Sequence, residues 1–282
     1  MKLVRIGELG AERPGVLVDD DHYVDVSDRV PDYDAAFFAS DGLARLPDLI
    51  EGRVAHPLAD VRIGAPIARP HQIICVGLNY VAHADESAAA VPTEPVIFTK
   101  APNCMSGPND PIVAPPGSSK LDYEVELGVV IGARSRYLAD DASAIAAIAG
   151  FVAVNDVSER SFQLERQGQW VKGKSCETFN PCGPVFVSRD EIDWQKADLW
   201  LTVNGEKRQA SCTRHMVFDV VTIVRYLSQF MVLEPGDLIN TGTPEGVALG
   251  RADQAYLRAG DVVELGISGL GTQRTVIVDY KE

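Results

Sequence analysis

Short apolar runs bounded by glycine, proline and polar residues recur along the chain and predict a β-rich protein. Beyond residue 70 only three helices are predicted, at 139–148, 157–167 and 218–230, and the last has apolar residues at helical spacing. Because helices and strands do not alternate regularly, we expect an α+β fold, a β-roll with peripheral helices. The predicted strands of this region are 73–76, 96–99, 123–131, 149–154, 184–187, 199–204, 237–240, 261–265 and 273–279.

The first 66 residues follow a different pattern. Three short predicted strands, at 3–6, 15–18 and 22–26, precede an acidic helical stretch over 34–51. A segment with two prolines, 65–70, then separates this region from the next apolar run. The sequence therefore predicts a small N-terminal accessory domain over 1–66 and a catalytic domain over 70–282.

Composition narrows the classes of partner. A net charge of -14 argues against a nucleic-acid surface or an anionic membrane, and an anionic substrate would need local cations or a metal. The five cysteines form no paired spacing, which suits reduced thiols and a cytoplasmic protein. The N-terminus lacks the apolar core of a signal peptide, and no apolar stretch approaches the ~20 residues of a membrane span.

Two glutamates, Glu124 and Glu126, lie at the head of the apolar run that ends at Ile131. Side chains on a strand repeat every two residues, so both carboxylates point to one face. One interpretation is a solvated strand face that carries charged residues. The other is a divalent-metal site, since two like charges aimed at one point repel unless a cation lies between them.

A third acidic residue, Asp156, also lies at the end of a predicted strand. Asp156 directly follows the apolar run 148–154, and a strand end is a common place for a functional site. Asp156 followed by Glu159 also fits a helix N-cap ahead of the predicted helix, and capping does not exclude metal binding.

Residues 168–175 match the phosphate-binding P-loop pattern, but their context does not fit it. A P-loop follows a buried strand and opens a helix. Here the preceding residues are predicted to be helical, and residues 176–181 do not favour a helix. The remaining candidate is Lys174, which either holds a carbonyl or carboxylate near the acids or is a solvated loop lysine.

His83 and Glu86 form the last candidate pair. In a helix they lie three residues apart on one face, where the carboxylate can set the tautomer and basicity of the histidine. Such a pair can activate water near neutral pH. The residues that follow, 87–95, are predicted to be a mobile lid; the alternative is a surface turn without a catalytic role.

Six short motifs follow one another along residues 70–280. They are Gly77-Leu-Asn-Tyr-Val-Ala-His83, Asp122-Tyr-Glu-Val-Glu-Leu-Gly128, Val154-Asn-Asp-Val-Ser-Glu-Arg160, Gly173-Lys-Ser175, Val203-Asn-Gly-Glu206 and Thr241-Gly-Thr-Pro-Glu-Gly246. In this order they resemble the fumarylacetoacetate hydrolase family. The resemblance implies a mixed β-roll catalytic domain, usually dimeric, that binds Mg²⁺ or Mn²⁺.

The resemblance also implies a role for each candidate residue. Glu124, Glu126 and Asp156 would hold the metal. The catalytic residues would be His83 and Glu86, which activate water, and Lys174, which polarises the substrate; the substrate contacts would be Tyr80, Arg160, Gln163 and Thr243.

Two departures from the family pattern bear on the substrate. Fumarylacetoacetase has a further acidic ligand before its histidine, and residues 74–79 contain no acid here. Many relatives continue Gly-Lys-Ser with Phe-Asp, where this chain has Cys176 and Glu177. The segment 158–176 is most similar to the bacterial branch assigned to 2,4-diketo-3-deoxy sugar acids.

The implied reaction is hydrolysis of the C3–C4 bond of a 2,4-diketo acid, an acylpyruvate or a 2,4-diketo-3-deoxy sugar acid, to pyruvate and a carboxylic acid. The same site could serve an enol–keto isomerase of the 2-hydroxyhepta-2,4-diene-1,7-dioate type or an oxaloacetate decarboxylase. A metal-stabilised scaffold is the alternative outside enzymology. The expected partners are a small anionic keto acid and a second copy of the chain.

Overall fold

Strands dominate the structure, as the apolar runs predict. The computed structural model describes residues 1–86 and 90–281, apart from the side chains of residues 83–85. Strands hold 34% of the residues and helices 18%, which confirms the β-rich α+β fold.

The elements of the described residues are named in chain order. The strands are β1 (Lys2–Ile6), β2 (Arg13–Leu17), β3 (His22–Asp25), β4 (His56–Pro57), β5 (Ile63–Gly64), β6 (Ile73–Gly77), β7 (Val96–Lys100), β8 (Met105–Ser106), β9 (Ile112–Ala114), β10 (Leu121–Asp122), β11 (Val125–Ile131), β12 (Ile148–Asn155), β13 (Ser158–Glu159), β14 (Asn180–Pro181), β15 (Phe186–Ser188), β16 (Asp198–Val203), β17 (Glu206–Cys212), β18 (Leu238–Asn240), β19 (Val262–Ile267) and β20 (Gly271–Asp279). The helices are α1 (Ala35–Ala39), α2 (Gly42–Ile50), α3 (Val81–Glu86), α4 (Asp141–Ala147), α5 (Arg160–Leu164), α6 (Val171–Lys174) and α7 (Val220–Leu227).

The main sheet has the strand order β4-β3-β2-β1-β15-β12-β11-β18-β6-β7, with β5 paired to β1. Its two central strands, β11 and β12, are antiparallel, with Val125 opposite Asn155 and Glu126 opposite Val154. Every residue of both strands is buried, so the sheet is covered on both faces. This register places the start of β11 beside the end of β12, where the candidate acids lie.

A second sheet, β17-β16-β19-β20-β9, packs on the first. Gln209 of β17 joins the two, because its side-chain oxygen accepts a hydrogen bond from the Val125 amide at 3.0 Å. Its amide nitrogen donates to Thr243 Oγ1 and to the Pro244 carbonyl, both at 2.9 Å. The second sheet therefore supports β11 and the loop after β18.

The N-terminal strands continue the main sheet, since β1 pairs with β15 through Lys2 opposite Val187 and Leu3 opposite Phe186. The domain boundary near residue 66 stays a prediction. The acidic stretch over 34–51 forms two helices, α1 and α2, which are separated by Ser40 and by Asp41 with a φ of 52°.

The three helices predicted beyond residue 70 exist but are shorter than expected. The helix predicted over 157–167 is reduced to α5, because Ser158 and Glu159 are extended and pair with β10. The N-cap prediction for Asp156 is therefore wrong. The cap is Glu159, whose carboxylate accepts a hydrogen bond from the Ser161 amide.

All five cysteines are free thiols, as their spacing predicts. None of the helices in the described residues has the length and apolar character that a transmembrane span requires.

We predict that Gly150→Ala destabilises the main sheet. A Cβ at this position of β12 would lie 2.2 Å from the Val187 carbonyl oxygen and 2.5 Å from the Phe186 ring. Overpacking of this kind costs about 1 to 3 kcal/mol, so the urea midpoint should fall with an unchanged slope. Gly132→Ala is the control, since its nearest contact would be 3.1 Å. Equal midpoints for the two variants would contradict the prediction.

Candidate active site

Three carboxylates meet where β11 begins and β12 ends. Glu124 precedes β11, Glu126 is its second residue, and Asp156 follows β12. One oxygen from each lies within 4.8 Å of the others, and all three side chains are buried. The convergence that the strand alternation predicts is confirmed, and the interpretation as a solvated strand face is wrong.

Burial makes this cluster electrostatically unfavourable by itself. Burial raises the pKa of Glu126 well above its usual value, and the charges of Asp156 and Glu124 raise it further. The Gly242 amide donates to Glu126 Oε2 at 2.8 Å and opposes this rise. A cation between like charges at this spacing would relieve their repulsion.

Lys174 supplies positive charge directly to the cluster. It ends α6, and its Nζ donates to Glu124 Oε2 at 2.7 Å and to Asp156 Oδ2 at 2.9 Å. Burial alone would lower the pKa of Lys174, but the Asp156 and Glu124 carboxylates outweigh it and raise the pKa above its usual value. Lys174 is 2% exposed, so the interpretation as a solvated loop lysine is wrong.

A second buried lysine, Lys100, contacts Asp156 of the cluster from the end of β7. The sequence did not identify Lys100 as a site residue. Its Nζ donates to Asp156 Oδ1 and, at 3.1 Å, to the Val157 carbonyl. Lys100 is the last residue of β7. A lysine at a strand end is the available sequence signal, but such a lysine is ordinarily solvated.

Arg160 is held by three partners at once. Its Nε donates to Asp122 at 2.8 Å, one Nη to Glu124 at 2.6 Å and the other to the Gln163 side-chain oxygen at 3.0 Å. Burial would lower the pKa of Arg160, but Asp122 and Glu124 raise it above its usual range. Asp122, a further missed residue, also accepts from the Ala248 and Leu249 amides.

The loop over 241–250 closes one side of the site. Thr243 Oγ1 donates to the Val125 carbonyl at 3.0 Å. The Gly246 amide donates to both oxygens of Glu86, at 2.9 and 3.2 Å. Glu86 ends α3, so the loop fixes this helix beside the site.

The His83 side chain lies outside the described part of the structure, although its backbone belongs to α3. Its proximity to Glu86 therefore stays a prediction. Residues 87–89 of the predicted lid also lie outside the described residues.

Tyr80 occupies a different position from the other predicted substrate contacts. It lines a neighbouring cavity of about 410 Å³ together with Ser211, His215 and Glu245. It is 1% exposed, and among the described residues its hydroxyl has no hydrogen-bond partner. Burial, with the charges of Glu126 and Glu245, raises the pKa of Tyr80. Its role in substrate binding stays a prediction.

Six of the other predicted site residues line a cavity of about 300 Å³, and Asp156 contacts one of them, Lys174. Most of its polar lining residues form one cluster, because Glu124 contacts Lys174 and Arg160, and Arg160 contacts Gln163. The polar lining residues, here together called the polar end, are Glu124, Glu126, Arg160, Gln163, Lys174 and Thr243. The remaining walls are formed by Val76, Gly77, Leu78, Phe98, Leu164, Trp170 and Leu249.

The three carboxylates suit a hard divalent cation. Magnesium and manganese prefer carboxylate oxygens, and magnesium commonly takes one or two carboxylates while keeping water and substrate as further ligands. Burial and the charges of Asp156 and Glu124 raise the pKa of Glu126, and a cation at this point would oppose that rise. The donor set thus fits the predicted metal.

Comparison with known proteins gives matches along the whole chain. The fumarylacetoacetate (FAA) hydrolase C-terminal family matches residues 72–278. A Burkholderia multivorans protein that bears only a provisional hydrolase name is 49% identical over 97% of both chains. The structure of 5-carboxymethyl-2-hydroxymuconate delta-isomerase from Mycobacterium smegmatis is 33% identical, with a TM-score of 0.79 and full coverage of both chains.

A second similar structure was determined with ligands. It is maleylpyruvate hydrolase from Sphingobium sp. SYK-6, in complex with a manganese(II) ion and pyruvate. It is 27% identical to this chain, covers 100% of both chains and superposes with a TM-score of 0.83.

We predict that Lys100→Met lowers the free energy of unfolding of the metal-free protein by about 3 kcal/mol, because it leaves part of a buried charge without its partner. The measurement is urea unfolding in EDTA. Lys120→Met is the control, since Lys120 pairs with the exposed Glu165 at the surface and should have little effect. An unchanged stability of Lys100→Met would show that Lys174 alone neutralises Asp156.

We predict that Glu126→Gln weakens Mn²⁺ binding by more than about 100-fold, since the loss of a supporting group alone costs 10- to 100-fold. Titration followed by electron paramagnetic resonance measures free Mn²⁺ without any substrate. Glu165→Gln, a surface carboxylate, should bind like the unmodified protein. Equal affinity of the Glu126 and Glu165 variants would place the metal elsewhere.

Proposed function

The chain belongs to the fumarylacetoacetate hydrolase family, whose members are hydrolases and isomerases, and on that premise we propose a specific reaction. The protein is a divalent-metal-dependent hydrolase that cleaves the C3–C4 bond of a 2,4-diketo acid, an acylpyruvate or a 2,4-diketo-3-deoxy sugar acid. The products are pyruvate and a carboxylic acid. The observation that carries the proposal is the buried carboxylate triad with Lys174 and Arg160 on the wall of one cavity.

The charge of the site favours an anionic substrate. Among the described residues, four buried carboxylates lie in contact with three buried cationic side chains around the metal triad. With every carboxylate ionised, the formal charge of these groups is minus one. A divalent cation would change it to plus one, which complements the carboxylate of a keto acid. The carboxylates are Asp122, Glu124, Glu126 and Asp156, and the cations are Lys100, Arg160 and Lys174.

Glu124, Glu126 and Asp156 would hold Mg²⁺ or Mn²⁺. The bound metal would act as a Lewis acid toward the oxygens of the keto acid. Manganese and pyruvate in the structure of the Sphingobium relative support both the metal and the product.

Lys174 and Arg160 position the substrate and stabilise negative charge. Both line the cavity and both are buried. Arg160 uses one hydrogen of each Nη in its contacts with Glu124 and Gln163, and a guanidinium has a second hydrogen on each. These donors can bind the substrate carboxylate, while the Lys174 ammonium stabilises the enolate oxygen of the departing pyruvate unit.

His83 and Glu86 activate the attacking water in this proposal. The two Gly246 hydrogen bonds fix the Glu86 carboxylate, which can then orient the histidine from the same helix. The histidine takes a proton from water, and the resulting hydroxide attacks the C4 carbonyl. The bond from C3 to C4 then breaks, and its electron pair goes to the pyruvate unit as an enolate. The enolate takes up the proton that the histidine received from water, which gives pyruvate and restores the histidine.

An isomerase is the second candidate, favoured by the 33% identity to the Mycobacterium smegmatis delta-isomerase. Movement of a proton between enol and keto forms uses the same charge stabilisation without a water nucleophile, and so does decarboxylation of oxaloacetate. Location in the cytoplasm and assembly into a homodimer belong to the proposal as well.

We expect pyruvate release from 2,4-diketo acids in the presence of Mg²⁺ or Mn²⁺ and none in EDTA. Lactate dehydrogenase with NADH measures pyruvate directly, and oxaloacetate runs alongside as the decarboxylase substrate. Pyruvate from oxaloacetate alone would move the assignment to a decarboxylase. Isomerisation of an enol substrate without any pyruvate would favour the isomerase.

We predict that His83→Ala lowers kcat for diketo acid hydrolysis by about 10² to 10⁴-fold, the usual contribution of a general base. Glu86→Gln should lower it less, because the histidine remains. Mn²⁺ affinity should stay unchanged in both, which separates water activation from metal loss. The control is the exposed His71→Ala. Full hydrolytic turnover of His83→Ala would disprove the water-activating role.

A further inference from the structure

We propose that the acyl group beyond C4 of the substrate is apolar, an alkyl or aryl chain, and not the polyhydroxylated chain of a sugar acid. This inference rests on the proposed function, since it identifies the group on the far side of the bond that breaks. It follows from the separation of polar and apolar groups within the cavity of about 300 Å³.

An aromatic wall begins directly at the reacting end. The Lys174 ammonium lies 5.0 Å from the centre of the Phe98 ring, and Phe98 in turn meets Trp170 edge to face at 5.2 Å. Trp170 packs on the end of β6 because residue 77 is a glycine: a Cβ there would lie 2.9 Å from the indole ring. A substrate chain that leaves the Lys174 end therefore runs along Phe98 and Trp170.

The described side chains of the rest of this wall offer hydroxyl groups almost no partners. Apart from the indole N–H of Trp170, the described side chains beyond the polar end carry no hydrogen-bonding atom. A buried hydroxyl without a partner is unfavourable, whereas methylene groups are stabilised by contact with such a wall. The side chains in question are Val76, Leu78, Phe98, Leu164, Trp170 and Leu249.

The polar side chains of the cavity contact one another and the β11 backbone. Thr243 Oγ1 donates to the Val125 carbonyl and accepts from Gln209. Arg160 and Gln163 bind each other, and Arg160 also binds Glu124 beside the metal triad. In the proposal these groups bind the keto-acid part of the substrate, and the chain beyond C4 contacts the apolar wall.

Leu164 extends the apolar wall outward. It lines the cavity and is nevertheless 45% exposed, so it lies at the mouth. A longer alkyl chain can continue along it toward solvent. The cavity volume is at the lower end of the range for small-molecule sites, which suits a chain of a few carbons.

The first experiment compares kcat/KM for 2,4-diketo acids with acyl groups of two, three, four and six carbons and for a 2,4-diketo-3-deoxy sugar acid of six carbons, whose acyl group has three carbons. Each added methylene should raise kcat/KM about fourfold. The sugar acid should fall below the alkyl diketo acid of equal length. A sugar acid that is turned over as well as that compound, or better, would overturn the inference and leave the hydrolase assignment in place.

A binding experiment separates the inference from the proposed function. Monoketo acids such as 2-oxobutanoate, 2-oxohexanoate and 2-oxooctanoate lack the C4 carbonyl and cannot be cleaved in this way. With Mn²⁺ present, calorimetry should show Kd falling about fourfold for each methylene. Tighter binding with length but no pyruvate from any diketo acid would reject the hydrolase and support the apolar site. Affinity independent of length would reject the apolar site.

Two variants and a matched control show which residues cause the dependence of affinity and kcat/KM on chain length. Leu164→Gln should reduce the gain from the longest chain, and Trp170→Gln should reduce the gain from every chain, while Mn²⁺ affinity is unchanged. Leu9→Gln replaces a leucine that is 77% exposed and distant in sequence from the site residues, and it should keep the full length dependence. Retention of that dependence in both Leu164→Gln and Trp170→Gln would place the chain elsewhere and overturn the inference.

Discussion

Mutual repulsion of buried carboxylates is the constraint on which this structure depends. Glu124, Glu126 and Asp156 are brought within 4.8 Å by the pairing of two central strands whose residues are all buried. Charges removed from water in this way are tolerated when other charges and hydrogen bonds compensate them. Lys174 and Lys100 contact Asp156 from two different elements, and Lys174 and Arg160 both contact Glu124.

The surrounding architecture holds these cations in place. Asp122 orients Arg160 and at the same time accepts hydrogen bonds from the Ala248 and Leu249 amides. The same loop binds Glu86 through Gly246. Gln209, from the second sheet, reaches both β11 and this loop. The site thus lies where the two sheets, the loop and α3 meet, so its geometry is fixed by contacts that also stabilise the fold.

The local charge of the site differs from that of the whole protein. The chain carries a net charge of -14, which alone would repel an anionic keto acid. Three buried cations and a site suited to a divalent metal reverse this at one end of the cavity. The aromatic wall of Phe98 and Trp170, which begins beside Lys174, would select by a different physical effect, burial of apolar surface. The substrate proposed above, with an anionic head and an apolar tail, fits both features.

The sequence by itself determined the β-rich fold and the metal candidates, because both depend on local patterns. Alternation along one strand places Glu124 and Glu126 together, and the end of an apolar run identifies Asp156. Lys174 was recognisable from the Gly-Lys-Ser motif, although its burial was not. The tertiary structure decided the rest: that β13 shortens the helix beginning at Arg160, and that Lys100 and Asp122 belong to the site. Lys100 and Asp156 are 56 residues apart, and Asp122 and Leu249 are 127 apart. Contacts over such separations follow from sheet register and packing, which no local periodicity encodes.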